Sequence, residues 1–266
     1  DWEYVTNRAY DSIDFVPAAG MGRVSLYNDG QGIDYLNKVM DYEQQPYSAT
    51  YKDALLMGGG KILAEQQGIF DSNVNQVMPL LAADPMNANV FWYQKRNNGF
   101  DSNSLLTTEQ HINAGLGVLH FFGHSAVNLF ELDILEPNRY TNFHKYPFMI
   151  ALGCSGGNFN EYQQSYGERT ILEKDRGSIA YLGNTTSGFL SPLKDYGAVL
   201  YRVMMQEQYG ASLGEVLQAL GQVGVVGSER FLDDADGVLV EDFGLGVLAQ
   251  RVRQRAAEDE TPRVRP

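Results

Sequence analysis

The sequence predicts an α/β protein in which a mostly parallel sheet carries helices on both faces. Three observations lead there. Short apolar runs alternate along the chain with segments of helical period. The runs are apolar at nearly every position, as strands covered on both faces are. Two of them, Leu116–Phe122 and Pro147–Leu152, each stop at a glycine-flanked reactive side chain, and ligands of such sheets bind at the carboxyl ends of the strands.

The elements follow in order. Phe15–Ala18 is a short apolar stretch ahead of Gly22-Arg23-Val24. Ile33, Leu36, Val39 and Met40 recur at helical spacing, so Gly32–Glu43 reads as an amphipathic helix with those residues as its apolar face. Ala54–Met57 reads as a strand that stops at Gly58-Gly59-Gly60. Val74, Val77, Met78 and Leu81 mark a helix with Asp71 or Ser72 as N-cap. Asn89–Tyr93 is an aromatic-rich strand, and Thr107 or Thr108 caps a short helix that runs to Ala114 and ends at Gly115. After the two motif-bearing strands, Gly167–Asp175 reads as a helix, Ser178–Leu182 as a strand and Leu193–Gln208 as a long helix. Beyond Gly227 the pattern changes. Ser228–Asp242 is acidic, and Arg251–Pro266 is charged with almost no apolar content. This divides the chain into a domain over 1–227 and a tail over 228–266 that is expected to be partly disordered.

With 266 residues and 44% hydrophobic content, the chain can bury a sizeable core. No apolar run approaches the roughly 20 residues that span a bilayer. The chain opens with Asp-Trp-Glu-Tyr rather than a Met and a basic, apolar leader, so it is expected to be a mature or excised fragment, which leaves the compartment open. The net charge of −13 argues against a nucleic-acid surface, which needs clustered Lys and Arg. One cysteine excludes an internal disulfide and leaves that thiol for chemistry or for the core.

That cysteine, Cys154, stands in Gly-Cys-Ser-Gly-Gly after the second motif strand, and His124 stands in Gly-His-Ser after the first. Nucleophilic cysteine catalysis needs a thiol beside an imidazole that manages its proton. Spacing alone leaves open a core cysteine beside an unrelated surface histidine. Other signals are weaker. Gly58-Gly59-Gly60-Lys61 lacks the glycine and the Ser or Thr of a phosphate loop, since Leu55 and Ile62 occupy those places. His120 and His124 share a strand face and could hold a metal with Glu131 or Asp133. His120 reads better as a strand histidine satisfied by a neighbour, so no metal is expected. His111 and His144, in polar surroundings, are expected to face solvent. Ser155 lacks the Gly-x-Ser-x-Gly elbow of a serine hydrolase.

Four blocks in order then resemble one family. Ala114–Leu129 (AGLGVLHFFGHSAVNL) resembles the strand that ends at Gly-His-Gly in gingipain-type cysteine peptidases. Phe148–Phe159 (FMIALGCSGGNF) resembles their nucleophile segment, and Gly177–Pro192 (GSIAYLGNTTSGFLSP) their downstream strand and loop. Gly22-Arg23-Val24 with Lys38 and Tyr42-Glu43 resembles the segment that precedes the core. Phe122-Gly123-His124-Ser125 and Lys145-Tyr146-Pro147-Phe148 are most similar to sortase-like members linked to type IX secretion.

The resemblance implies a caspase-like three-layer α/β sandwich and a cysteine endopeptidase with a polypeptide substrate, acting outside the cytoplasm of a bacterium as a secreted or surface protein. Type IX secretion components are its implied partners. It assigns His124 as acid/base and Cys154 as nucleophile, with the backbone N–H groups of Cys154 and Ser125 as oxyanion donors. Ser125 stands where gingipains have Gly. The carboxylate that many members place behind the histidine has Glu65 as its nearest candidate, and Phe189 matches an aromatic wall of the substrate site. No residue matches the acidic base of an arginine or lysine pocket. The resemblance allows a structural calcium and implies no other cofactor. The family's catalytic region normally begins well before the Gly-Arg segment and continues into a β-sandwich. The sequence is therefore expected to be a piece of a larger protein. The alternative reading is a catalytically inactive gingipain-like domain that serves as a binding or assembly module.

Overall fold

A computed structural model describes residues 22–59, 64–96, 99–222 and 238–241. Helix α1 (Asp29–Gln44) comes first, then a 3₁₀ turn (Ala49–Lys52) feeding β1 (Asp53–Gly59). Next are α2 (Ala64–Ala82), β2 (Asn89–Lys95), α3 (Ser102–Ala114) and β3 (Val118–Phe122). Strand β4 (Phe148–Leu152) leads through α4 (Tyr166–Leu172) to β5 (Ala180–Asn184). Helix α5 (Leu190–Arg202) runs into a π-helical turn (Val203–Glu207), α6 (Leu213–Gln222) and β6 (Val238–Glu241). The sheet order is β2-β1-β3-β4-β5-β6, with the first five strands parallel and β6 antiparallel to β5. The parallel sheet and its two helix layers are as the sequence predicts. Strand β6 falls within the segment set apart as a tail.

Alternation along the strands sorts the core into two layers. Leu56, Val118, Phe122, Ile150, Leu152 and Leu182 face α2, α5 and α6. Leu55, Met57, Leu119, Phe121, Met149 and Tyr181 face α1, α3 and α4. The central strands β3, β4 and β5 are buried at every position, which explains their uninterrupted apolar sequence.

Several expectations need correction. Helix α1 is turned about its axis: Tyr35 and Lys38 face inward, while Ile33 and Leu36 are 60% and 58% exposed. Polar tips set this orientation, because the Tyr35 hydroxyl donates to the Ile179 carbonyl at 3.0 Å and Lys38 Nζ donates to the Arg176 and Ser178 carbonyls at 2.9 and 3.3 Å. Asp71 and Ser72 lie inside α2 rather than capping it. Helix α3 is capped by Asp101, whose carboxylate accepts from the Asn103 and Ser104 amides. Thr108 is buried, and its hydroxyl donates back to Ser104 O at 2.8 Å. The expected stop at Gly115 holds, with φ of 111°. His111 and His144 are half-buried rather than solvent-facing. His111 lies against Phe91 with ring centroids 4.4 Å apart, and His144 pairs with Asp41 at 2.6 Å.

Candidate active site

Strands β3 and β4 are paired in parallel with Phe122 opposite Leu152. His124 and Cys154 each follow that pair by two residues, so the register brings both to the same sheet edge. Both also point toward the same helix layer. The His124 ring packs edge-on against Phe70 of α2, with centroids 6.4 Å apart. Cys154 Sγ lies against the Gly188 peptide ahead of α5, 3.4 Å from its nitrogen and 3.5 Å from its oxygen.

The loop after β3 folds back as a short antiparallel bridge between Ser125 and Phe130. Its flanking bonds run from Glu131 N to His124 O at 3.0 Å and from Ala126 N to Leu129 O at 2.7 Å. That pattern turns the Ser125 N–H away from the bridge and sets Glu131 directly across from His124. Glu131 Oε2 and His124 Nε2 are both buried with no hydrogen-bond partner among the described residues. The loop after β4 turns at Ser155, a non-glycine residue with φ of 55°, whose N–H donates to Thr186 O at 2.7 Å. Between the two loops, Ser125 Oγ donates to the Cys154 carbonyl at 2.7 Å.

Of the other expected site residues, Phe189 is 52% exposed and adjoins Gly188, against which the thiol rests. Glu65 is the second residue of α2, and its side chain lies outside the described residues, as do Gly60 and Lys61. His120 is buried in β3, with Nε2 3.0 Å from Asn73 Oδ1 and its ring against Tyr201, while its Nδ1 is buried with no hydrogen-bond partner among the described residues. Among the described residues no three His, Cys, Asp or Glu side chains are grouped so as to hold a metal ion. No described helix is long and apolar enough to cross a membrane.

Burial pushes the His120 imidazole down to about 3. Between the unfolded value near 6.5 and about 3, the unfolded chain binds a proton that the native one refuses, so stability rises with pH across that window. Acidification from pH 6.5 should therefore cost up to about 5 kcal/mol through this group. The His120→Gln variant should show a shallower loss of urea stability between pH 6.5 and 4 than the wild type. Equal slopes would refute the assignment.

The family model for peptidase family C25 matches residues 1–231. The chain belongs to peptidase family C25. No curated protein matches it in sequence. The C25 domain is similar to the crystal structure of the Arg-specific cysteine proteinase gingipain R, with a TM-score of 0.67 at 13% identity over 82% of this chain and 53% of that one. It is also similar to the complex of Porphyromonas gingivalis RgpB pro- and mature domains, with a TM-score of 0.74 at 14% identity over 89% of this chain and 58% of that one. This likeness establishes the fold, that of gingipain-like cysteine peptidases. The C25 chain spans somewhat more than half the length of those solved chains.

The Ser125 hydroxyl and the Gly188 contact were not foreseen in the sequence. The hydroxyl had one legible signal, the Ser that stands where gingipain-type sequences carry Gly.

Proposed function

We propose that the protein is a cysteine peptidase that cleaves polypeptides through an acyl-enzyme on Cys154, with His124 as acid/base. The observation that supports this reading most is the in-register pairing of β3 and β4, which brings an imidazole and the chain's only thiol to one edge of the sheet. The thiol proton passes to His124 as sulfur attacks the scissile carbonyl carbon. Negative charge on the carbonyl oxygen is met by backbone N–H groups, for which the outward-turned amide of Ser125 is suited, with Cys154 N–H as its partner. His124 then protonates the departing amine, which leaves a thioester. Water releases the acid product in a digestive peptidase. In a transpeptidase an amine acceptor attacks the thioester instead, forming an amide and freeing the thiol, the role we assign by resemblance to the sortase-like members, acting outside the cytoplasm with type IX secretion components. Phe189, exposed beside the thiol's loop, supplies an apolar wall for the substrate.

Iodoacetamide labelling at pH 6 tests the dyad. An imidazole that takes the thiol proton as sulfur attacks makes the thiol a better nucleophile, so folded protein should label faster than unfolded chain. His124→Ala should remove the advantage. Equal rates in all three would point instead to an inactive module, and slower labelling of folded protein to a merely buried cysteine. Adding a secreted-protein signal peptide with a primary amine should give the amide product. Hydrolysis alone would overturn the transpeptidase assignment while leaving the peptidase.

A further inference from the structure

We propose that the Ser125 hydroxyl is a positioning group that clamps the histidine loop onto the nucleophile loop. The proposal rests on the reading of His124 and Cys154 as a dyad. Backbone pairing between β3 and β4 runs out at the bond from Gly123 N to Leu152 O, 3.2 Å long. Both dyad residues lie beyond it. The next link is the bond from Ser125 Oγ to the Cys154 carbonyl, 2.7 Å long, which closes just past them. The same peptide unit is held at its other end, where Ser155 N–H donates to Thr186 O at 2.7 Å. With its C=O and N–H both bonded, the Cys154–Ser155 peptide cannot rotate freely, and its plane fixes the direction in which the Cys154 Cα–Cβ bond projects.

The sequence makes room for the clamp. A Cβ at Gly153 would lie 2.2 Å from Ser125 Oγ and 2.8 Å from the Gly123 carbonyl. Real Cβ atoms do not approach so closely, so the hydroxyl occupies space that only glycine at 153 leaves. A glycine at 125, the residue the resemblance would lead one to expect, has no hydroxyl to offer. The device therefore belongs to this chain rather than to the gingipain pattern. Its use follows from the chemistry: a misplacement of about 1 Å between thiol and imidazole can lower reactivity on the order of 10²-fold.

The test is the pH profile of iodoacetamide alkylation of Cys154 in the full chain, with melting temperature measured in parallel. Ser125→Ala should slow alkylation at pH 6 by about fivefold, the worth of one hydrogen bond near 1 kcal/mol, and bring the pH profile toward that of His124→Ala. Ser125→Gly should do the same, and Ser125→Thr, which keeps the hydroxyl, should restore the wild-type profile. Gly153→Ala, which crowds the hydroxyl, should resemble Ser125→Ala. A purely structural role would lower the melting temperature and leave the profile in place, which would overturn the proposal. Wild-type alkylation in Ser125→Ala alongside slow alkylation in His124→Ala would overturn the clamp and keep the dyad. Wild-type alkylation in His124→Ala would overturn the dyad, and the clamp with it.

Discussion

Cys154→Ala should abolish peptide-bond cleavage, and His124→Ala should lower it by roughly 10²- to 10⁴-fold, the usual contribution of a positioned acid/base. The two losses should not add. Once the nucleophile is gone the imidazole has no proton to manage, so the double variant should be as inactive as Cys154→Ala alone. Neither change should cost much stability. Cys154 is only half-buried, with a long contact to Gly188, and His124 makes an edge-on contact with Phe70 but, among the described residues, no hydrogen bond through its buried Nε2. The measurement is cleavage of a mixed peptide library read by mass spectrometry, with thermal melting as the control for folding. Cleavage that persists in Cys154→Ala would end the acyl-enzyme reading. Loss of cleavage together with a melting temperature lower by ten degrees or so would show only that the fold had failed.

What was legible in the sequence follows from what local chemistry decides. Strands β3 and β4 could be read to within two residues because a strand buried on both faces has no polar position to blur it. Their shared edge, and with it the placement of His124 and Cys154, follows from parallel pairing, which repeated alternation of strand and helix already implies. Helix starts were less legible where the apolar period fades. Helix α2 begins seven residues before Asp71, across Gln66, Gln67 and Gly68, which give no apolar signal. Helix α6 was overlooked although Ser212 and Glu215 form a reciprocal cap, with Ser212 N donating to Glu215 Oε2 at 2.7 Å and Glu215 N to Ser212 Oγ at 3.2 Å. Leu213, Val216 and Leu220 are its buried face, a helical spacing the sequence displayed. The clamp at Ser125 joins residues 29 apart in sequence. The bond depends on how two loops end, and no local pattern encodes it.

The inverted face of α1 has the other large expected effect, through Lys38. Its side chain is 1% exposed, and burial pulls the ammonium down to about 7 against the raising pull of Glu173 and Asp175. In the unfolded chain the same group titrates near 10.5. Between those values the unfolded chain holds a proton that the native state lacks, so stability rises with pH from about 7 upward. Below about 7 both states are protonated and the full cost of the buried charge is present. From pH 7 to 9.5 the gain through this group should be about 3 kcal/mol, at roughly 1.4 kcal/mol per pH unit. Above that range the buried tyrosines reverse the trend, because Tyr140, Tyr196 and Tyr201 ionise less readily when folded than when unfolded. Lys38→Met keeps the length of the side chain and removes the titrating group, so its urea stability should be nearly flat over pH 7–9.5. It should also be the less stable protein at pH 9.5, by roughly 1–3 kcal/mol, because the Arg176 and Ser178 carbonyls lose their donor. Near pH 7 the two should converge, since the wild type there carries the burial cost that methionine avoids. Parallel pH profiles for the two proteins would show that Lys38 stays charged at all these pH values, held by its carbonyl partners and by the faces of Tyr35 and Tyr146 at 6.0 and 5.6 Å. The inward turn of α1 would then rest on a permanently buried cation, and not on an amine that gives up its proton in order to stay buried.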